Sequence, residues 1–109
     1  MKVSELIKKL NLDLLTDSGF EDRDVTGCYI GDLLSHVMGK ACEGDAWITI
    51  MNNINIVAVA SLTESACIIL AEGVSTDETI IQKADGEGIV ILKSDLTAYE
   101  LAVKISELI

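Results

Sequence analysis

The stretch AWITIMNNINIVAVASLTESACIIL, residues 46–70, carries a single formal charge, on Glu64. A segment so poor in charge must be buried on most of its sides, because leaving it in water forfeits the free energy of burying its apolar surface. Two β-branched runs, 47–51 and 66–70, read as strands, and the apolar segment 54–62 has to connect them. That connection decides the fold. Asn52-Asn53 looks like the turn of a hairpin, and Ile54, Ile56, Ala58 and Ala60 alternate as a strand would. Against this, Ile56, Val57 and Val59 are apolar on successive sides, as in a helix buried all round, and the asparagines serve equally as N-caps. A hairpin makes the flanking strands antiparallel; a helix makes one right-handed crossover between parallel ones. Local propensity leans to the hairpin, and the residues leave both readings open.

Working outward toward the C-terminus, Ser75 and Glu78 have the spacing of a capping box, followed by Ile80, Ile81 and Ala84 on one face. This predicts a helix, ended by Gly86 and Gly88. Residues 89–92 form an unbroken apolar run of strand length. Thr97 and Glu100 make a second capping box, opening a helix with Ala98, Leu101, Ala102, Ile105 and Leu108 on one side and Tyr99 and Val103 beside it. An arc this wide on a terminal helix predicts a subunit interface of a homodimer at Tyr99, Leu101, Ile105 and Leu108.

Toward the N-terminus, Asp32 can cap a short helix with Leu33, Leu34, Val37 and Met38 as its stripe and Gly39 as its C-cap. Residues 25–30, punctuated by Gly27 and Gly31, read as a strand. Val3, Leu6, Ile7 and Leu10 fall at helical spacing, with Ser4 as N-cap, and Leu12, Leu14 and Leu15 suggest a short extended segment. The acidic stretch 16–24 matches no calcium loop, lacking alternate-residue ligands and a distal bidentate Glu, and reads as a solvated loop. Strands and helices alternate through the second half, which argues for an α/β layer with a largely parallel sheet. Ligand sites in such sheets lie at the carboxyl ends of the strands, where the loops after Ile30, Met51, Leu70 and Leu92 gather.

Composition narrows the partners. A chain of 109 residues with net charge −10 is one domain with scattered bases, which disfavours nucleic acid and anionic membranes. No stretch reaches the length of an apolar membrane helix and the start has no secretory pattern, so the expected location is cytoplasmic. Cys28, Cys42 and Cys67 have no paired spacing, which reads as buried thiols in a reducing compartment, with neither a metal nor another cofactor expected.

Four segments read together carry a resemblance: VTGCYIGDLL (25–34), EGDAWITI (43–50), ACIILAEG (66–73) and VILKSDLTAYELA (90–102). In order and spacing, over residues 1–109 as a single domain, the chain resembles the DRTGG domain family, and most closely its stand-alone short forms. The resemblance implies a three-layer α/β/α fold with a mostly parallel sheet of four to five strands, similar to the N-terminal domain of HPr kinase/phosphorylase. It turns residues 54–60 into the helix. It also implies a non-catalytic regulatory or assembly module, homodimeric, binding a partner protein or a small nucleotide-like ligand, with a link to hydrogenase or energy metabolism in an anaerobe. Where the family carries Gly-Asp-Arg after the strand ending near Ile50, this chain has Met51-Asn52-Asn53, which argues against an anion-binding role for that loop.

The candidate ligand-binding residues are therefore Gly31, Asp32, Asn52, Asn53, Ser94, Asp95 and Thr97, all at expected carboxyl ends. Thr97 is the most attractive, since a hydroxyl and backbone N–H groups at a helix start make an anion site, although its capping box accounts for it equally well. His36 has no nucleophile and orienting group in evident reach, Trp47 reads as a core anchor, and no catalytic set is evident. The alternative function is a phosphoryl-transfer or phosphoacceptor component using Thr97, Ser94 or His36; no G-x-x-x-x-G-K-[ST] loop is present for a kinase. A third is a redox partner acting through the thiols.

Overall fold

In the computed structural model, which describes all 109 residues, the connection between the two apolar strands is a helix. β3 (Asp45–Thr49) and β4 (Cys67–Leu70) run parallel with Ala46 beside Cys67 and Thr49 beside Leu70, and α3 (Asn55–Thr63) crosses between them. Parallel neighbours need such a crossover, so the hairpin that local propensity favours is excluded by the pairing. Ile56, Val57, Val59 and Ala60 of α3 are buried, while Ala58, Ser61 and Leu62 reach solvent. The helix ends where Glu64 takes a left-handed backbone, φ 56°.

The remaining elements are α1 (Val3–Leu10), β1 (Asp13–Leu14), β2 (Gly27–Ile30), α2 (Leu34–Lys40), α4 (Glu78–Gly86), β5 (Ile91–Lys93) and α5 (Ala98–Ser106). The five strands lie in the order β1-β5-β4-β3-β2; β2 to β5 are parallel and β1 is antiparallel to β5. Because side chains alternate along a strand, the sheet has two apolar faces. One, with Ala46, Ile48, Cys67, Ile69 and Leu92, packs on Val3 and Leu6 of α1 and on Leu101 and Ile105 of α5. The other, with Trp47, Ile68, Leu70 and Ile91, packs on α2, α3 and α4 through Val37, Ile56, Val57 and Ile80. The architecture is the expected three-layer α/β/α with five strands.

Several local expectations are corrected. α1 starts at Val3, one residue before Ser4; the Glu5 carboxylate accepts from Lys2 N at 3.1 Å, and the Ser4 hydroxyl and N–H donate to Asp22 instead. Asp32 does not cap α2, whose cap position is Leu33, and Gly39 lies inside that helix. Asp77, not Ser75, caps α4 by accepting from Ile80 N at 2.9 Å. Cys42 is exposed, unlike Cys67. Leu101 and Ile105 are fully buried in the protein's own core, which occupies the apolar arc of α5 and removes both from any subunit interface. Of that arc, Tyr99 stays exposed and Leu108 is half-buried.

Candidate functional site

After β4 the chain turns to α4 on one face of the sheet, and after β5 to α5 on the other. The carboxyl ends of β4 and β5 are thus the place where successive connections part, which in open α/β sheets opens a crevice. Here the two loops are tied together. Glu72 N donates to Leu96 O and Gly73 N to Ser94 O, each at 2.8 Å. Glu72 and Gly73 both take left-handed backbone, φ 57° and 71°, and a Cβ on Gly73 would lie 3.0 Å from Asp95 Oδ1. The glycine therefore lets the β4 loop lie close against Asp95.

Of the candidate residues, Ser94, Asp95 and Thr97 come together at this point. Ser94 is buried and its Oγ accepts from Leu96 N at 3.1 Å. Thr97 is engaged on every side: its N–H and hydroxyl donate to Glu100 Oε1 at 3.1 Å, and its Oγ1 accepts from Glu100 N at 3.2 Å. The Thr97 N–H, and after it the hydroxyl, hold the Glu100 carboxyl below its usual range. A carboxylate thus stands where a bound anion would meet the helix dipole, so the capping function accounts for Thr97.

Gly31 and Asp32 form a second group, at the ends of β2 and β3. The Asp32 carboxylate accepts from Thr49 Oγ1 at 2.8 Å and from Ile50 N at 3.0 Å, bracing one strand end against the next. Gly31 O accepts from the indole of Trp47 at 2.9 Å. A Cβ at Gly31 would lie 2.8 Å from the Tyr29 ring, so a side chain there would have to displace that ring. Asn52 donates to Ser75 O at 3.0 Å, joining the β3 and β4 loops, while Asn53 Oδ1 accepts from Asn55 N at the start of α3. Next to Ser75, the Thr76 Oγ1 is buried with no hydrogen-bond partner. His36 is exposed on α2.

A cleft of about 720 Å³ lies at the opposite, amino end of the sheet. Glu21, Asp22, Asp24, Glu43, Glu64 and Glu87 line it against only two bases, Lys2 and Arg23. Lys2 pairs with Asp24 at 3.5 Å and Arg23 with Glu21 at 3.7 Å. The Glu43 carboxyl is raised above its usual range, first by a hydrogen bond with Glu64 and then by that group's charge. Sequence reasoning took residues 16–24 for a solvated loop and missed this convergence. Its members come from five separate stretches, so no local spacing could signal it.

A unidirectional parallel sheet with one antiparallel edge strand and helices on both faces defines a three-layer α/β/α domain. Within that class the chain belongs to the DRTGG domain family, whose model matches residues 5–108. Among solved structures it is similar to the CBS and DRTGG domains of the regulatory region of Clostridium perfringens pyrophosphatase, complexed with the activator diadenosine tetraphosphate. The TM-score is 0.70 at 13% identity, and the match covers 93% of this chain and 44% of that one. No curated protein sequence matches the chain. No helix is long and apolar enough to cross a membrane.

Proposed function

We propose that this chain is a regulatory or assembly module that performs no chemistry of its own, works as a homodimer and relays a signal through contact with a partner protein. The observation that carries this reading is the engagement of candidate groups at the carboxyl edge by their scaffold neighbours: Asp32 by Thr49, Ser94 by Leu96, Thr97 by Glu100. Groups so engaged hold loops in place and leave no nucleophile beside a base. Family membership supports the same reading, since the similar DRTGG domain lies in a pyrophosphatase's regulatory region. The setting we propose is hydrogenase or energy metabolism in an anaerobe, in the cytoplasm.

A second reading, a small nucleotide-like ligand, is favoured by the orphan hydroxyl of Thr76 beside the Asn52–Ser75 contact, and by the nucleotide bound to the C. perfringens regulatory region. Against it stand the net charge of −10 and the carboxylates at the start of α5. The phosphoacceptor alternative is left with His36, because Ser94 is buried and the Thr97 hydroxyl is engaged with Glu100.

A thermal-shift screen against adenine nucleotides, dinucleoside polyphosphates, acetyl phosphate and divalent metals separates these. A ligand at about 100 times its Kd adds roughly 2.7 kcal/mol, several degrees for a domain of this size. We expect no shift, and the partner then recovered by affinity capture from the native cell. A reproducible shift with one nucleotide overturns the protein-contact reading in favour of ligand sensing.

A further inference from the structure

Several exposed large apolar side chains lie around one open strand. β2 is the last strand of the sheet, and its outer edge is covered only upstream, where Val25 N donates to Met1 O and Val3 N to Arg23 O. From Gly27 to Ile30 the edge has no partner strand. Residues 25–31, VTGCYIG, contain no charge and no proline, although the chain carries 26 charged residues in 109. Ile30 is 47% exposed at the strand's end and Leu33 60% exposed just beyond it, with Met38 exposed on α2. On the other face, α5 packs on β2 and β3 and carries the exposed Tyr99 and Val103. An unpaired strand of this kind exposes backbone donors and acceptors that another strand satisfies.

Resting on the homodimer reading above, we propose that β2 pairs antiparallel with the β2 of a second copy about a two-fold axis, joining two sheets into one of ten strands. The charge pattern favours a second copy as the occupant. Setting Cys28 opposite the second copy's Ile30 keeps side chains of one face together and brings Asp32 opposite Thr26, while Asp24 is already bridged to Lys2, so the flanking acids of two molecules of charge −10 do not meet. The contact is isologous and closes on itself, which ends assembly at the dimer.

Light scattering over a dilution series tests this on the purified chain, with Ile30→Lys placing a charge on the edge and Leu33→Asp placing one beside it. Leu62→Lys, on α3 and already 72% exposed, is the control. The expected result is a mass of twice 11.7 kDa for the wild type and for Leu62→Lys, and 11.7 kDa for both edge variants with unchanged circular dichroism. Amide exchange at Cys28 and Ile30, whose N–H groups face the open edge, should be slowed in the concentrated wild type and quicken on dilution. A wild type and edge variants that all remain dimeric overturn the β2 contact and leave the homodimer reading standing. A wild type at 11.7 kDa throughout overturns both.

Discussion

At β1 the sheet ends in a two-residue antiparallel strand whose Asp13 lies in register with Lys93, whereas at β2 it ends in a four-residue parallel strand with no charged residue. Short length and charge are the devices by which folded proteins keep a sheet edge from recruiting another chain. This chain applies both at one edge and neither at the other. The half-buried residues of β2 contrast also with its neighbour β3, every residue of which is buried. Within a single sheet, then, one edge is built to stop and the other is left able to continue.

The largest effect we expect comes from Trp47→Ala. Trp47 is fully buried, lies beside Tyr29 in the β2–β3 register, and donates its indole N–H to Gly31 O. Losing it leaves a cavity under β2 and an unpaired carbonyl, at a cost of about 3–5 kcal/mol. The denaturant midpoint should fall accordingly, and a loss below about 1 kcal/mol would mean that the indole does not hold the open edge. At the opposite side Thr16→Val is the matching probe. Thr16 Oγ1 accepts from Ile91 N in a buried position, continuing the ladder past β1, and Leu15 N donates to Ile91 O. Valine keeps the shape and strands the amide, which costs about 1–3 kcal/mol. A neutral result would show that the closed edge does not depend on this bond.

Much of this contrast could be read from the amino acids, and the parts that could not have a common cause. The strands at 47–51, 66–70 and 89–92 stood out by β-branching and lack of charge, and the Thr97–Glu100 box by its spacing, because each signal is local. Residues 54–62 were ambiguous because a helix buried along most of its surface loses the 3.6-residue period, leaving only tertiary pairing to decide. The arc of α5 misled for a related reason. Wide apolar arcs serve a deep core or a partner equally well, and only the fold shows that the face bearing Ala46, Ile48 and Ile69 claims Leu101 and Ile105. The amino-end cleft drew on carboxylates from scattered stretches, and the role of Asp32 as a brace between β2 and β3 required knowing which strands were neighbours.

A smaller effect tests whether the carboxyl edge is scaffold or site. Thr97→Val removes the hydroxyl that accepts from Glu100 N and donates to its carboxylate, and should cost about 1 kcal/mol as a lost N-cap. The sign of the pH dependence follows from Glu100, whose carboxyl is held low by the Thr97 N–H and hydroxyl. Its contribution is present above the unfolded carboxylate range and is lost as pH falls through the folded value. The difference in melting temperature between wild type and variant should therefore shrink on acidification. A difference that stays constant to low pH would separate Thr97 from Glu100 and remove the capping account.

The finest comparison between open edge and sheet centre lies in the thiols. Cys28 on β2 and Cys67 on β4 flank Ala46 on the same face. With strands about 4.8 Å apart, their Cα atoms are separated by roughly 9.6 Å, too far for a disulfide. Burial, with a smaller push from Asp45, raises the Cys28 thiol from 9.0 to about 11, and burial raises Cys67 to about 12. Because both folded values lie above the unfolded one, the stabilisation they contribute is whole below pH 9.0 and drains away as pH rises toward those values. At pH 8 a thiol reagent should label exposed Cys42 at once, Cys28 slowly and Cys67 last. Labelling of Cys28 requires only that β2 peel from β3, while Cys67 waits for the sheet to open at its middle. If β2 pairs with a second copy, dilution should speed Cys28 and leave Cys67 unchanged. Equal rates for the two at every concentration would mean that the open edge is held as firmly as the centre, and the contrast between the two ends of the sheet would then be one of shape alone.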